Sequence, residues 1–320
     1  MRRENFSEWK IAVIGAGTMG LCIAQYFAMH GHTVNLYNRT AENLEKAVKR
    51  IHDNLITLTE CDMMNKADVD KAMSNVKPTG DIKTAVYDAD YIIENVAEKV
   101  DVKTDIFAKI DKYAKPDAII GSDTSSMDIY KFISISNPER LIITHFFNPA
   151  YVMPLVEVVK GEKTSDETVS VIKAFLEDAG KTPAVLNKVV PGFIINRFSA
   201  ALSREACYMV EQGMCSFEDI DKAIVATYGP RFTFEGPGQL GDFVGLDVSA
   251  FVFSNLFPML SDAKTPSSVL LNMVKEGKLG VKSGEGLAGK YDDPVKAYNE
   301  RDAKVIRMIK AINDVNKSMK

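Results

Sequence analysis

Between Lys10 and Leu186 short apolar runs alternate with longer stretches that mix apolar and polar positions. Lys10–Ile14, Thr33–Tyr37, Tyr91–Ile93, Ala118–Ser122, Leu141–Thr144, Leu155–Val159 and Ala184–Leu186 read as strands; Leu21–Met29 and Ala41–Leu58 carry apolar residues at helical spacing. Alternation of this kind predicts a parallel, doubly wound α/β sheet. After Lys188 the texture changes. From Gly192 onward the chain reads as helices, broken by Gly/Pro-rich segments at Tyr228–Arg231 and Glu235–Gly241. An α/β domain over 1–188 and an all-helical domain over 189–320 are therefore expected, with Pro191-Gly192 as the boundary. Helices such as Ser199–Glu211, rich in Ala and Met, suit packing across a dimer axis, so a homodimer through the helical domain is expected.

Composition narrows the class. The 320 residues are 46% hydrophobic and 26% charged, enough for two cores. A net charge of −4 argues against a nucleic-acid partner. No apolar run approaches the ~20 residues of a membrane span, and Met1–Trp9 lacks the apolar stretch of a signal peptide. The expected compartment is the cytoplasm, with no membrane partner. Cys22, Cys61, Cys207 and Cys215 show neither metal nor CxxC spacing, which predicts reduced thiols and no metal.

Gly15-Ala-Gly-Thr-Met-Gly20 follows the first strand and opens the first helix. In that context GxGxxG is a phosphate-binding turn. Gly15 permits the sharp bend, Gly17 admits a pyrophosphate close to the backbone, and Gly20 lets helix and strand approach; the free N–H groups of the first helical turn, including those of Thr18 and Met19, face the phosphates. A dinucleotide cofactor is expected, NAD or NADP. At the end of the second strand stands Asn38-Arg39-Thr40, without the carboxylate that binds a ribose 2′-hydroxyl. Arg39 is able to pair with a 2′-phosphate, which favours NADP over NAD.

His145 ends one apolar strand, and Glu157 lies inside the next, twelve residues on. If the chain turns back at Asn148-Pro149, the two side chains meet. A carboxylate buried among Leu155, Val156, Val158 and Val159 needs a partner, and a His–Glu pair is suited to general-base work near neutral pH. The other histidines, His30, His32 and His52, are expected at the surface.

His145-Phe-Phe-Asn-Pro149, Met153-Pro-Leu-Val-Glu157, Ser122-Asp-Thr-Ser-Ser126 and Pro191-Gly-Phe-Ile-Ile-Asn-Arg197 together resemble the L-3-hydroxyacyl-CoA dehydrogenase family. Gly236-Pro237, Gly245-Leu-Asp247 and Gly280-Val-Lys-Ser-Gly-Glu-Gly286 extend the resemblance from Lys10 to Tyr291. It implies a Rossmann-type domain followed by a helical substrate-binding and dimerisation domain, hydride transfer between a nicotinamide and a short 3-hydroxyacyl-CoA, and a place in fatty acid metabolism. It implies that His145 is the base, Glu157 the carboxylate that orients it, Ser125 a hydrogen-bond partner of the substrate oxygen, and Asn196 the residue that completes the site. Glu98 and Lys103 match cofactor-contacting positions. The bland alternatives are that Ser125 caps a helix at Ser126–Phe132 and that Glu98 and Lys103 are solvated charges.

The chain departs from the pattern at several points. Asp123 replaces an asparagine, Asn38-Arg39 replaces an acidic residue, and Gly286-Leu-Ala-Gly-Lys-Tyr291 lacks an aromatic pair. Ala150-Tyr-Val-Met-Pro154 also resembles relatives acting on free hydroxy acids, the carnitine and gulonate dehydrogenases. Competing readings are that free-acid chemistry, a dinucleotide-binding relative without turnover, and a phosphogluconate-type reductase that shares Asn-Arg-Thr. Beyond Pro294, Val305, Met308, Ile309 and Ile312 recur at helical spacing, as in a terminal helix packed on its own domain or a partner.

Overall fold

The computed structural model describes residues 5–318. In chain order come β1 (Ile11–Ile14), α1 (Thr18–Met29), β2 (Val34–Tyr37), α2 (Ala41–Glu60), α3 (Val69–Asn75), β3 (Val76–Thr79), α4 (Ile82–Val86), β4 (Tyr91–Glu94), α5 (Val100–Tyr113), β5 (Ile119–Ser122), β6 (Leu141–Phe146), β7 (Leu155–Val159), α6 (Asp166–Asp178) and β8 (Thr182–Leu186). The strands form one sheet in the order β3-β2-β1-β4-β5-β6-β7-β8. Every neighbouring pair is parallel except β6 and β7, which run antiparallel and are joined through Asn148-Pro149.

The sheet is apolar on both faces, as a covered parallel sheet must be. β1, β4 and β6 are buried at every position. Alternation along β1 feeds two cores: Ile11 and Val13 join α1, α2 and α6 on one face, while Ala12 and Ile14 join α4 and α5 on the other. β3 was not anticipated from the sequence. Its residues are Val-Lys-Pro-Thr, and Pro78 weakens any strand assignment; the strand is tolerated because β3 is the sheet edge.

The chain divides into two compact units. The first runs through Ile194 and includes Val305–Ala311; the second holds Ile195–Lys304 and the residues from Ile312 onward. The first thus continues past Lys188, because Phe193 is still one of its core residues, 1% exposed. Ile306 is fully buried, and Val305 and Ile309 pack against the core that α1 and α2 serve.

The second unit holds α7 (Ile195–Glu211), α8 (Phe217–Arg231), α9 (Pro237–Val244), α10 (Leu246–Leu256), α11 (Ser268–Lys275) and most of α12 (Pro294–Ser318). The expected all-helical texture is interrupted only by a small hairpin of β9 (Glu285–Gly286) and β10 (Gly289–Lys290) among the described residues. Tyr228–Arg231 lies inside α8, where Pro230 falls in the last turn and its missing N–H costs little continuation. Gly236-Pro237 starts a helix rather than breaking one, with Gly236 as N-cap and Pro237 in the first turn. No residue of α8 to α11 is buried, and Val225, Phe243, Phe251 and Met259 are each at least 70% exposed.

Candidate active site

Antiparallel pairing places His145 opposite Glu157, and the pair is closed by a contact of 2.8 Å between Nδ1 and Oε2. Glu157 is fully buried and His145 is 7% exposed. The second carboxylate oxygen of Glu157, Oε1, accepts the backbone N–H of Ile194 at 2.8 Å. Phe147 and Phe193 flank the imidazole, with ring centroids 4.5 and 5.7 Å away. An anion so enclosed persists only with donors on its oxygens, and both oxygens have one. Because the carboxylate accepts from Nδ1–H, the tautomer leaves Nε2 as the acceptor.

The hairpin carrying this pair is braced from beneath. Lys181, 4% exposed, donates from Nζ to the carbonyls of Ala150 and Met153 at 2.5 and 2.8 Å, and the same ammonium lies 3.5 Å from the centroid of the Tyr26 ring. Burial lowers the Lys181 pKa to about 7.

At the glycine turn, Gly15 has φ +115°, and a Cβ there would lie 2.6 Å from the Asn95 carbonyl oxygen. A Cβ on Gly20 would lie 1.8 Å from the Gly15 oxygen. Around Gly17 a Cβ would meet nothing within 4 Å, so the backbone there is open to an incoming group. The first-turn N–H groups of α1, those of Thr18, Met19 and Gly20, have no acceptor within the helix; the Met19 side chain itself packs on the core. A cavity of about 370 Å³ adjoins the turn, lined among others by Gly17, Thr18, Asn38, Asn43, Lys46 and Arg50. Against Gly15 and Gly20 of the turn, Asn95 Oδ1 is a buried acceptor without a hydrogen-bond partner among the described residues. A bare backbone approach, a helix start and an open cavity fit the pyrophosphate and ribose of a dinucleotide.

Arg39 is exposed and does not line that cavity, whereas Lys46 and Arg50 of α2 do. Asn38 turns inward on its own loop: its Oδ1 accepts both the N–H and the hydroxyl of Thr40 at 3.1 Å. The basic residues on α2 were missed because a Lys and an Arg on an amphipathic helix look like a solvated face.

A buried charge network joins β4, β5 and α5. Lys103, 1% exposed, donates to both oxygens of Glu94 at 2.8 and 2.9 Å and lies 3.4 Å from Glu98 Oε2. Ser122 Oγ donates to Glu94 Oε2 at 2.6 Å, and Thr124 Oγ1 donates to Glu98 at 2.9 Å. Lys103 is therefore not a solvated charge; its reach goes to carboxylates, and any part it has in cofactor contact runs through Glu98. Glu94 escaped the sequence reading although its signal, a carboxylate ending an apolar strand, is the one that singled out His145.

Ser125 sits at the carboxyl end of β5, its N–H held by Glu98 Oε1 at 2.9 Å. The alternative reading, a helix over Ser126–Phe132 capped by Ser125, does not form: Thr124 Oγ1 accepts the Met127 N–H at 3.0 Å, and only a 3₁₀ turn at Ile129–Lys131 follows. Asn196 lies in the first turn of α7, in the second unit. Of the other histidines, His32 is buried, with Nδ1 3.2 Å from the Trp9 carbonyl, and His30 is exposed at the end of α1, with Nδ1 2.8 Å from the Tyr26 carbonyl. The surface expectation holds for His30 and His52 and fails for His32, which packs on Phe175 and reaches the Trp9 carbonyl. None of the four cysteines forms a disulfide, and no metal-binding cluster occurs among the described residues. No single helix among them is long and apolar enough to cross a membrane.

The family model for the NAD binding domain of 3-hydroxyacyl-CoA dehydrogenase matches residues 10–189, and that for its C-terminal domain matches residues 192–290. The chain is 35% identical to 5-formyl-3-hydroxy-2-methylpyridine 4-carboxylate 5-dehydrogenase of Mesorhizobium japonicum, over 94% of this chain and 97% of the relative. It is 37% identical to a probable 3-hydroxybutyryl-CoA dehydrogenase of Bacillus subtilis, over 87% and 96%. Among solved structures, a 5-formyl-3-hydroxy-2-methylpyridine 4-carboxylic acid 5-dehydrogenase described as an NAD+ dependent dismutase superposes with TM-score 0.86 at 34% identity, covering 96% of this chain and 99% of that one. The 3-hydroxybutyryl-CoA dehydrogenase of Escherichia coli gives TM-score 0.74 at 35% identity, covering 88% and 59%.

Proposed function

The chain belongs to the 3-hydroxyacyl-CoA dehydrogenase family and is an oxidoreductase with that family's NAD binding domain; from that premise we propose that it interconverts a short L-3-hydroxyacyl-CoA and the corresponding 3-ketoacyl-CoA. The observation that carries this reading is the closed His145–Glu157 contact at the carboxyl end of β6, where ligands of open α/β sheets bind. When bound, the nicotinamide supplies the hydride chemistry. The chain supplies the proton path and the geometry. Nε2 of His145 takes the hydroxyl proton during oxidation and returns it during reduction. Glu157 fixes the tautomer and stabilises the imidazolium that forms. Ser125 and Asn196 keep the substrate contacts that the resemblance implies.

A free hydroxy acid is the second reading. Its lack of CoA, though not the group oxidised, is favoured by the full-length likeness to an enzyme named for a 5-formyl pyridine carboxylate, which superposes with TM-score 0.86 against 0.74 for the acyl-CoA relative. A steady-state panel of acetoacetyl-CoA, acetoacetate and dehydrocarnitine, each with NADH and NADPH, separates the two. Turnover of none of these ketones would defeat the first reading and the second alike.

For the cofactor we infer a preference for NADP(H). Asn38-Arg39-Thr40 offers no carboxylate against a 2′-phosphate, Arg39 has no acidic partner among the described residues, and Arg50 adds positive charge to the cavity beside Asn38, Lys46 there being ion-paired with Glu42. The relative described as NAD+ dependent points the other way. We also propose a homodimer through the second unit, acting in the cytoplasm. Large apolar side chains are left bare along α8 to α11, contiguous apolar surface of this kind marks an interaction site, and a second copy is the covering the proposal names. Light scattering that gives a single-chain mass at micromolar concentration refutes it.

A further inference from the structure

We propose that Asp123 works as a hydrogen-bond donor, not an acceptor, toward a carbonyl oxygen of the ligand bound beside His145. The inference rests on His145 and Glu157 being the reaction centre and deepens that reading at the neighbouring strand.

Asp123 follows directly on β5, at the end of the sheet where β6 presents His145. Its Oδ1 accepts the backbone N–H of Phe146, the residue after the imidazole, at 2.7 Å. The carboxyl is thereby fixed against the strand that bears the base, and its other oxygen has no partner among the described groups.

The surroundings decide which form of that carboxyl is present. Three carboxyl groups meet here: Glu94 from β4, Glu98 from the following loop, and Asp123. One cation, Lys103 from α5, serves them. Lys103 is spent on the other two, bidentate to Glu94 and 3.4 Å from Glu98. Asp123 has no cation within ion-pair distance among the described residues. The remaining titratable neighbour, Tyr91, is buried and bonds Thr144 Oγ1 at 2.5 Å rather than Asp123. Glu94 and Lys103 are closed off from water while Asp123 is partly buried and Glu98 exposed; three negative charges on one ammonium is an arrangement that one proton relieves. Loss of hydration accordingly pushes the Asp123 carboxyl well above the usual carboxylate range, with Glu94 and Glu98 adding to the rise and the Phe146 N–H and Lys103 opposing it.

The proton has one place to sit. Oδ1 faces an N–H and must stay an acceptor, so the hydroxyl is on Oδ2, the oxygen not engaged with the protein. A neutral acid in that position donates. Ligand carbonyls near an imidazole base come from two sources, the ketone of the substrate and the carboxamide of the nicotinamide; both present the same acceptor.

Infrared difference spectra between the wild-type protein and Asp123→Asn, without cofactor, test the ionisation directly. A protonated-carboxyl band present at pH 7 in wild type and absent from the variant is expected; a carboxylate at pH 7 overturns the proposal. This readout needs no turnover, so it stands or falls separately from the assignment of function. In kinetics, Asp123→Asn replaces a hydroxyl donor by an amide donor of the same shape. It should keep kcat/KM within about threefold at pH 7 and lose the alkaline decline of the wild type, while Asp123→Ala falls about tenfold or more. A hundredfold loss in a folded Asp123→Asn, or an Asp123→Ala indistinguishable from wild type, contradicts the donor role. The Ala variant also tells the sources apart: weakened NAD(P)H fluorescence titration identifies the carboxamide, and unchanged nucleotide affinity with reduced kcat/KM identifies the ketone.

Discussion

His145 and Glu157 are cross-strand neighbours, and their 2.8 Å contact is a consequence of register: a slip of one residue in β7 would turn Glu157 to the opposite face of the sheet. The pair therefore depends on the packing of Val156 and Val158 as much as on its own hydrogen bond. His145→Ala is expected to lower ketone reduction by about 10²- to 10⁴-fold, the usual worth of a general acid–base, with nucleotide affinity retained. Comparable turnover in that variant, measured at saturating cofactor, would refute the mechanism.

The two later glycines of the turn separate fold from function. Gly20→Ala places a methyl 1.8 Å from the Gly15 oxygen and should lower the melting temperature or prevent folding. Gly17→Ala meets no protein atom within 4 Å. It should melt with the wild type yet bind dinucleotide at least about tenfold more weakly, because the methyl stands where the pyrophosphate approaches. Equal nucleotide affinity in Gly17→Ala and wild type would show that the phosphates lie elsewhere.

Charge reversal at the ribose end reads cofactor preference. Arg39→Asp is expected to weaken NADPH more than NADH, and Arg50→Glu to act in the same sense because Arg50 lines the cavity next to Asn38. Fluorescence titrations of both nucleotides check it. Equal losses for the two discard the 2′-phosphate argument.

Lys181 links the hairpin to pH. Its pKa is lowered by burial to about 7, well below the value of an exposed lysine. Between that value and the ordinary lysine range the unfolded chain binds a proton that the folded chain does not, so this group makes stability rise with pH across that window. Below pH 7 both states are protonated and the burial cost is present in full. Urea unfolding of wild type and Lys181→Met at pH 6 and pH 9 should show the wild type gaining on the variant, by an amount on the order of a few kcal/mol. A stability difference that does not change with pH would mean that the amine stays charged throughout, held by the two carbonyls and the Tyr26 ring.

The glycine turn and the His–Glu hairpin were legible in the sequence because each is a local object. Apolar runs bound them, and the imidazole and carboxylate of the hairpin are only twelve residues apart. What stayed hidden was set by distant segments. β3 has one apolar residue and a proline, and it is a strand only because β2 offers a free edge. Lys103 reads as an exposed helix charge until Glu94, nine residues earlier, is seen to face it from β4. His32 looks polar and peripheral until Trp9 and Phe175 fold over it. Lys46 and Arg50 line a cavity only once α2 lies alongside the glycine turn.

The reversal of β7 has one more consequence. In an all-parallel sheet the base and its carboxylate would sit on strands separated by a crossover of a dozen or more residues, usually a helix. Here a short connection suffices, so bringing the two groups together costs little chain entropy. One hairpin sets the register of the imidazole and its counter-ion, and the second carboxylate oxygen and the hairpin's loop call on later segments, through Ile194 and Lys181.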